Sequence, residues 1–217
     1  MGKLTDKIAV ITGGAHEVNV VIARRLVEEE AKVVVLDGDA AAAKAALEGT
    51  GADVYACNTS DYEDTIRCFD KIKAELGEVD ILVTNPQEHC RKTMVETTPE
   101  EWNAIMAADV HSLFYCAKQV CASMKERRTG KVINVSSRSF MGDKGDAAYV
   151  VAKAAVHGFT GTLCTEMVKY GVTGNVVTPN DDAAPEDIAD AIAFLSSEDS
   201  RFAHRLNVTV ARKVVVE

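Results

Sequence analysis

Short apolar runs alternate with longer segments of helical periodicity along the whole chain. Runs such as residues 7–12 (KIAVIT) and 80–84 (DILVT) lack polar alternation, which is typical of strands buried on both faces of a parallel sheet. Runs of this kind predict seven strands, at residues 7–12, 32–36, 53–57, 80–84, 132–135, 175–178 and 207–210. The last run has an apolar continuation to Val216.

Helical spacing of apolar residues fills the intervals between these strands. Ile66, Phe69 and Ile72, for example, lie on one side of a predicted helix, and Thr98 with Glu101 form a capping signature. The predicted helices cover residues 18–30, 40–47, 62–76, 99–125, 147–169 and 185–196. Alternating strands and helices predict an α/β fold with a doubly wound parallel sheet and a ligand crevice at the carboxyl ends of the strands.

Composition narrows the functional classes. The 217 residues predict a single domain, and a net charge of -9 argues against nucleic acid or an anionic membrane as the partner. No apolar run approaches the length of a membrane span, about 20 residues, and no signal-peptide pattern occurs, so a cytoplasmic location is expected. The six cysteines form no C-x-x-C and predict free thiols, and the five histidines form no i,i+4 pair, so no metal site is predicted.

The candidate chemistry lies in the segment from 131 to 159. An apolar strand ends on Ser136 and Ser137, a glycine-containing loop follows, and the next helix carries Tyr149 and Lys153 four residues apart. Residues at this spacing share one helix face. A nearby ammonium group favours the phenolate, so Lys153 is expected to lower the tyrosine pKa from its usual value of about 10. The pair then suits proton transfer to and from a carbonyl/alcohol oxygen.

This arrangement of strand, serines, glycine loop and Y-x-x-x-K resembles the short-chain dehydrogenase/reductase family over nearly the whole chain. The resemblance implies a Rossmann-like domain in which Ser137 orients the substrate oxygen, Tyr149 transfers the proton, and Lys153 tunes the tyrosine and binds a ribose. Ser136 is the alternative serine. Asp109 stands where the family has an asparagine, and it is either part of a proton relay or a buried aspartate without a role.

The first strand ends in a glycine turn where the family binds a dinucleotide. Thr12, Gly13 and Gly14 retain the start of the family's T-G-x-x-x-G-x-G motif, whereas Glu17 and Asn19 replace its later glycines. A glycine turn before a helix N-terminus can hold a pyrophosphate through backbone N–H groups. The open alternative is that the two glycines only form a tight turn.

Three further positions match cofactor contacts of the family. Asp37, at the end of the second strand, implies NAD rather than NADP because an acid there accepts from the ribose and repels a 2′-phosphate; the alternative is a helix-capping aspartate. Asn58 follows the third strand, where the family contacts adenine. Of the family's N-N-A-G motif only Asn85 is present. Pro86 follows it and restricts the backbone conformation of that loop.

The resemblance implies an NAD(P)(H)-dependent oxidoreductase that interconverts a small-molecule secondary alcohol and a ketone. It also implies a homodimer or homotetramer. The alternative is a degenerate family member with little catalysis that acts as a binding or structural subunit. The replaced motif residues favour this alternative, whereas the intact Ser137, Tyr149, Lys153 and Asp37 favour the enzyme. The segment 180–184 is short where the family usually inserts a substrate lid.

Overall fold

A computed structural model describes residues 2–212, in which seven strands form one parallel sheet. The strand order is β3-β2-β1-β4-β5-β6-β7, and the strands span Ile8–Thr12, Lys32–Asp37, Asp53–Ala56, Ile81–Thr84, Gly130–Val135, Val172–Pro179 and Asn207–Val210. Each neighbouring pair is parallel. The prediction of an α/β fold with a doubly wound parallel sheet is confirmed.

In the described part of the chain, seven α-helices, α1 to α7, connect the strands. They span Glu17–Glu28, Ala40–Ala46, Tyr62–Glu75, Pro99–Ile105, Ser112–Arg127, Ala147–Met167 and Pro185–Ser196. Within residues 2–212, no helix combines the length and the apolar character that a membrane span requires.

Two hydrophobic cores cover the two faces of the sheet. On one face α1 and α7 pack through residues such as Ile22, Leu26 and Ile192. On the other face α3, α5 and α6 contribute residues such as Ile72 and Val120. The apolar runs lacked polar alternation because both faces of each central strand are buried.

Some element boundaries differ from the prediction. β5 begins at Gly130 and β6 begins at Val172, because the two strands pair from Gly130 and Val172 to Val135 and Val177. The tyrosine-bearing helix ends at Met167, and a short 3-10 turn leads to Gly171 in the left-handed conformation. The continuation of the last strand to Val216 lies largely outside the described residues.

The predicted helix 99–125 is interrupted by a π-helix at Met106–His111, between α4 and α5. A π-helical turn inserts an extra residue into the α-helical ladder, and such turns occur frequently at functional sites. Asp109 lies in this turn and is buried, with 1% of its surface exposed.

The order of the sheet reverses between β1 and β4, which are hydrogen-bonded neighbours. The loops that follow these two strands therefore separate and leave a crevice at their carboxyl ends. Thr12 and Thr84 pair at this edge, so the glycine turn after β1 and the loop after β4 begin side by side.

Candidate active site

A cavity of about 530 Å³ opens at the carboxyl ends of the strands. The turn after β1, the end of β2 and the loops after β3 and β4 form its wall, which includes Gly13, Asp37, Asn58 and Gln87. Three of the predicted cofactor-binding residues, Gly13, Asp37 and Asn58, therefore line one cavity. Thr12 and Asn85 are buried behind it, with 1% of each residue exposed.

The carboxylate of Asp37 holds the glycine turn. Its Oδ2 accepts from the backbone N–H of Ala15 at 2.8 Å, and its Oδ1 accepts from the N–H of Asp39 at 2.7 Å. A Cβ at Gly14 would lie 2.0 Å from Oδ2, so the turn requires glycine there. Asp39, rather than Asp37, caps α2, which removes the alternative interpretation of Asp37 as the helix cap.

Asn19 replaces a glycine of the family motif and stabilises the turn by a different means. Its buried Nδ2 donates to the carbonyl of Gly13 at 2.6 Å, and its Oδ1 accepts from Nδ2 of Asn85 at 2.8 Å. The two asparagines thus tie the turn after β1 to the loop after β4. The sequence pattern alone indicates only that a glycine of the motif is replaced at Asn19.

Glu17 does not face the cavity. It is the first residue of α1, it is exposed, and it is not part of the cavity wall. His16 precedes it without making a side-chain cap, so the N-cap side chain leaves the first N–H groups of α1 uncapped. These donors and the positive end of the helix dipole suit an anion such as a pyrophosphate.

Lys153 is fully buried, with 0% of its side chain exposed, and it forms an ion pair with Asp109. Its Nζ lies 3.1 Å from Oδ2 of Asp109 and donates to the carbonyl oxygen of Pro86. Oδ1 of Asp109 accepts from the N–H of Glu88 at 3.3 Å. The replacement of asparagine by aspartate therefore gives the lysine a direct counter-ion.

Tyr149 is buried beside this pair, with 5% of its surface exposed. Its O–H donates to Oε1 of Gln87 at 3.4 Å, and its ring centroid lies 5.1 Å from Nζ of Lys153. Gln87 in turn donates to Asn85 at 2.7 Å. A chain of hydrogen bonds thus leads from the glycine turn through Asn19, Asn85 and Gln87 to Tyr149.

Burial raises the pKa of Tyr149 to about 12; a hydrogen bond with Ser137 opposes the rise, and the negative charges of Asp109 and Asp146 add to it. Burial also lowers the pKa of Lys153, although Asp109 opposes that change. The expectation that Lys153 lowers the tyrosine pKa is therefore wrong in this structure. Burial of the phenol is the main cause of the raised tyrosine pKa, and the charge of Lys153 is compensated by the Asp109 carboxylate.

The two serines at the end of β5 have different surroundings. Ser136 is buried; its Oγ donates to the carbonyl of Lys153 at 3.0 Å and lies 3.0 Å from Nε2 of His157. Ser137 is half-buried, accepts from the N–H of Ser139 at 3.2 Å and hydrogen-bonds Tyr149. Ser137 is thus the serine that lies beside the tyrosine hydroxyl.

His89 also lies at the site, although it was not among the predicted site residues. Its ring stacks on Tyr149 with a centroid distance of 3.8 Å, and its Nδ1 lies 2.7 Å from Oδ2 of Asp146. One available signal was its place in the loop just after β4, because the loops at the carboxyl ends of parallel strands converge on the crevice.

A family model described as short chain dehydrogenase matches residues 7–182. The chain belongs to the short-chain dehydrogenase family. The predicted family and the prediction of an oxidoreductase are confirmed, and family membership makes the chain an NAD(P)-dependent oxidoreductase that acts on CH–OH or keto groups.

Two curated short-chain dehydrogenase relatives align over most of the chain. The acetoacetyl-CoA reductase of Cupriavidus necator is 32% identical, with 92% of this chain and 94% of the relative covered. The 3-oxoacyl-(acyl-carrier-protein) reductase FabG of Escherichia coli is 31% identical, with 90% and 92% covered. A crystal structure from Burkholderia xenovorans, described as a short-chain dehydrogenase/reductase, superposes with a TM-score of 0.90 at 24% identity and 97% coverage of both chains, which supports the fold.

Proposed function

We propose that this short-chain dehydrogenase interconverts a secondary alcohol and a ketone with NAD(H). The observation that carries the proposal is the grouping of Ser137, Tyr149 and Lys153. Tyr149 and Lys153 contact Gln87 and Pro86, and these two residues line the cavity of about 530 Å³ at the carboxyl ends of the strands. A bound nicotinamide would supply or accept the hydride. The Ser137 hydroxyl would hold the substrate oxygen, and the Tyr149 phenol would give it a proton or take one from it.

The cavity suits the adenosine half of the cofactor. The Asp37 carboxylate has lone pairs left for ribose hydroxyls, and Asn58 lies where an adenine edge can hydrogen-bond. None of the described residues that line the cavity is Lys or Arg, so nothing there neutralises a 2′-phosphate. This favours NAD over NADP. The pyrophosphate would bind the N–H groups at the start of α1.

The names of the relatives suggest a chemical class for the ketone substrate. Both named relatives are, by name, reductases of 3-oxoacyl or acetoacetyl thioesters. Only residues 180–184 separate β6 from α7, so no inserted helix closes the site between these two elements. Acetoacetyl thioesters therefore belong in the ketone panel beside small free ketones.

NADH titration tests this proposal. We expect saturable energy transfer from Trp102 and a thermal shift with NADH, and a weaker response to NADPH. Gly14→Ala should abolish NADH binding because its methyl would displace the Asp37 carboxylate. Gly161→Ala is the matched control, because a Cβ there meets nothing closer than 3.7 Å. No response to millimolar NADH or NADPH would refute the dehydrogenase assignment.

Alcohol oxidation should depend steeply on pH. The oxidation needs the ionised phenol as proton acceptor, and burial raises the pKa of Tyr149 to about 12. The ionised fraction, and with it kcat/KM for oxidation, should rise about tenfold per pH unit between about pH 6 and pH 10. Ketone reduction uses the protonated phenol and should show no such rise. An oxidation rate that levels off near about pH 8 would contradict the raised pKa.

One observation favours the second candidate, a family member with little catalysis. Gln87 and His89 contact Tyr149 on the side of the loop after β4, and Lys153 is held by Asp109 and Pro86. A non-catalytic member would bind NADH weakly or not at all and would turn over no ketone. The same titration and a ketone panel separate the two candidates.

Assembly into a homodimer or homotetramer is part of the proposal. A groove of about 480 Å³ between α5 and α6 is lined by apolar residues that include Phe114, which remains 48% exposed. Large exposed apolar patches commonly mark protein–protein interfaces. Light scattering should give at least twice the chain mass of 23.3 kDa, and Phe114→Glu should lower it; a monomeric wild type would overturn this assembly.

A further inference from the structure

Asn19 is a polar residue in the first turn of α1, and 0% of its surface is exposed. It stands at the last glycine of the family's motif, where a residue without a side chain normally lets the helix pack closely against the strand. A buried amide in that place needs hydrogen-bond partners, because an unpaired polar group in the interior is costly. The partners of Asn19 therefore show what the amide does.

The Asn19 amide is satisfied entirely by the protein. Its Nδ2 donates to the carbonyls of Gly13 at 2.6 Å and Thr12 at 3.3 Å, and its Oδ1 accepts from Nδ2 of Asn85 at 2.8 Å. Only one orientation of the amide makes all three contacts, because a carbonyl can accept but cannot donate. Both N–H donors are used in this way, so Asn19 can act on a cofactor only through the turn.

Asn85 connects this amide to the wall of the cavity. It is buried, with 1% of its surface exposed, and its Oδ1 accepts from Nε2 of Gln87 at 2.7 Å. Gln87 lines the cavity. Because Asn19 and Asn85 are both buried, removal of either side chain leaves a polar group of the other without its partner. The Asn19–Asn85 pair is therefore expected to act as one unit.

The glycine turn is held from two sides. Asp37 accepts from the N–H of Ala15 at 2.8 Å, and Asn19 binds the carbonyl of Gly13. Gly13 has a φ of 88°, and a Cβ there would lie 2.5 Å from the carbonyl oxygen of Asn85. The turn is thus fixed between the end of β2 and the loop after β4.

The orientation of the Gly13 carbonyl matters for an anion at the start of α1. The backbone hydrogen bonds of α1 begin at the carbonyl of His16, which accepts from the N–H groups of Asn19 and Val20. The N–H groups that precede these two have no intrahelical partner and can donate to an anion. A carbonyl oxygen that turned toward the same space would repel a phosphate. Asn19 binds this oxygen from the buried side of the turn.

We propose that Asn19 is a positioning residue for the cofactor pyrophosphate: with Asn85, it holds the Gly13 carbonyl away from the phosphates. The inference rests on the proposed function, because it concerns the NAD(H) site. The pair orders the turn before the cofactor arrives, and such preorganisation strengthens binding because less ordering is left to the binding step. Restoring the glycine of the motif with Asn19→Gly therefore weakens pyrophosphate binding instead of improving it.

Calorimetric titration of three Asn19 variants with NADH and with ADP-ribose tests this role. Asn19→Ala removes the amide, Asn19→Gly restores the motif, and Asn19→Asp keeps the shape but has no donor for the two carbonyls. Each variant should bind both ligands about tenfold more weakly than the wild type. Wild-type or tighter NADH binding by Asn19→Gly would overturn the inference, and so would wild-type binding by Asn19→Asp.

Adenosine separates positioning of the pyrophosphate from a general structural role. It carries no phosphate, so its affinity in an NMR titration should be the same for the Asn19 variants and the wild type. An equal loss of affinity for adenosine and for ADP-ribose would overturn the inference. Asn103→Asp is the matched control, because Asn103 is exposed on α4 and its substitution adds the same charge. This control should bind NADH like the wild type.

A double-mutant cycle tests whether the Asn19–Asn85 pair acts as one unit. Asn85→Ala should weaken NADH binding, and the double variant with Asn19→Ala should lose little more than the weaker-binding single variant. Single losses that multiply in the double variant would refute the pair. Circular dichroism confirms that each variant is folded.

Hydrogen exchange in the wild type needs no variant. In the cofactor-free protein, the Nδ2 protons of Asn19 should exchange with water more slowly than those of the exposed Asn103. Equal exchange would overturn the inference, because the pair would then not order the turn before the cofactor binds.

The failure of this role is distinguishable from the failure of the proposed function. If the wild type binds NADH and reduces a ketone while all Asn19 variants keep the wild-type affinity, only the positioning role is refuted. If the wild type binds NADH but turns over no ketone, the proposed reaction is refuted, and the titrations still decide the role of Asn19. If it binds neither NADH nor ADP-ribose, both are refuted.

Discussion

Tyr149→Phe is expected to abolish ketone reduction while NADH binding stays intact. The substitution removes the only hydroxyl of a side chain that is 5% exposed and leaves its ring in place. Loss of a general acid–base group typically costs about 10² to 10⁴ in rate. We expect the upper part of this range, because in the proposed mechanism Ser137 only holds the substrate oxygen, and the ammonium group of Lys153 is engaged by Asp109 and Pro86.

Steady-state turnover across the ketone panel and an NADH titration of the same preparation measure the two effects separately. Tyr115→Phe is a matched control, since the ring of Tyr115 packs against that of Tyr62 with centroids 5.0 Å apart and lies outside the site. Turnover by Tyr149→Phe within about threefold of the wild type would refute the role of the phenol, because that is far below the general acid–base range.

Asp109→Ala is expected to lower the free energy of unfolding by about 3–5 kcal/mol. The substitution leaves the ammonium group of Lys153 buried without its counter-ion, and this is the costly half of a buried ion pair. The double variant Asp109→Leu with Lys153→Met should recover most of the loss, because apolar replacement of both charges is often neutral. Urea denaturation followed by circular dichroism gives both values.

The exposed pair of Lys3 and Asp199 provides the control for this experiment. Its side chains are 59% and 54% exposed, so Lys3→Ala should change the free energy of unfolding by less than about 1 kcal/mol. If Asp109→Ala lowers the free energy of unfolding by no more than Lys3→Ala does, the buried pair does not stabilise the chain in the way described.

The strands of the sheet could be predicted from the sequence because a strand that is buried on both faces consists mainly of apolar residues. Every residue of Ile8–Thr12 and of Ile81–Thr84 is buried, and both strands appear as short runs rich in apolar residues. The grouping of Ser137, Tyr149 and Lys153 was also predictable, since the tyrosine and lysine share a helix face and the serine ends the strand before it. These features depend on local spacing.

The rest of the site depends on contacts between distant parts of the chain. Asn85 bonds Asn19, 66 residues away, and His89 bonds Asp146, 57 residues away. No local pattern encodes these pairs. The direction of the pKa shift of Tyr149 could not be predicted for the same reason. The shift depends on burial and on Asp109 rather than on the four-residue spacing to Lys153. The π-helix that brings Asp109 to the lysine leaves no periodic signal either.

Transfer of a labelled hydride tests the central claim most directly. The wild type is incubated with NADH that is deuterated at C4 of the nicotinamide, each stereoisomer in turn, and with a ketone panel that includes acetoacetyl thioesters. Mass spectrometry of the products should show one deuterium on the carbinol carbon with one of the two stereoisomers, and none with Tyr149→Phe. NADH binding without deuterium in any product would contradict the assignment of this site to hydride transfer.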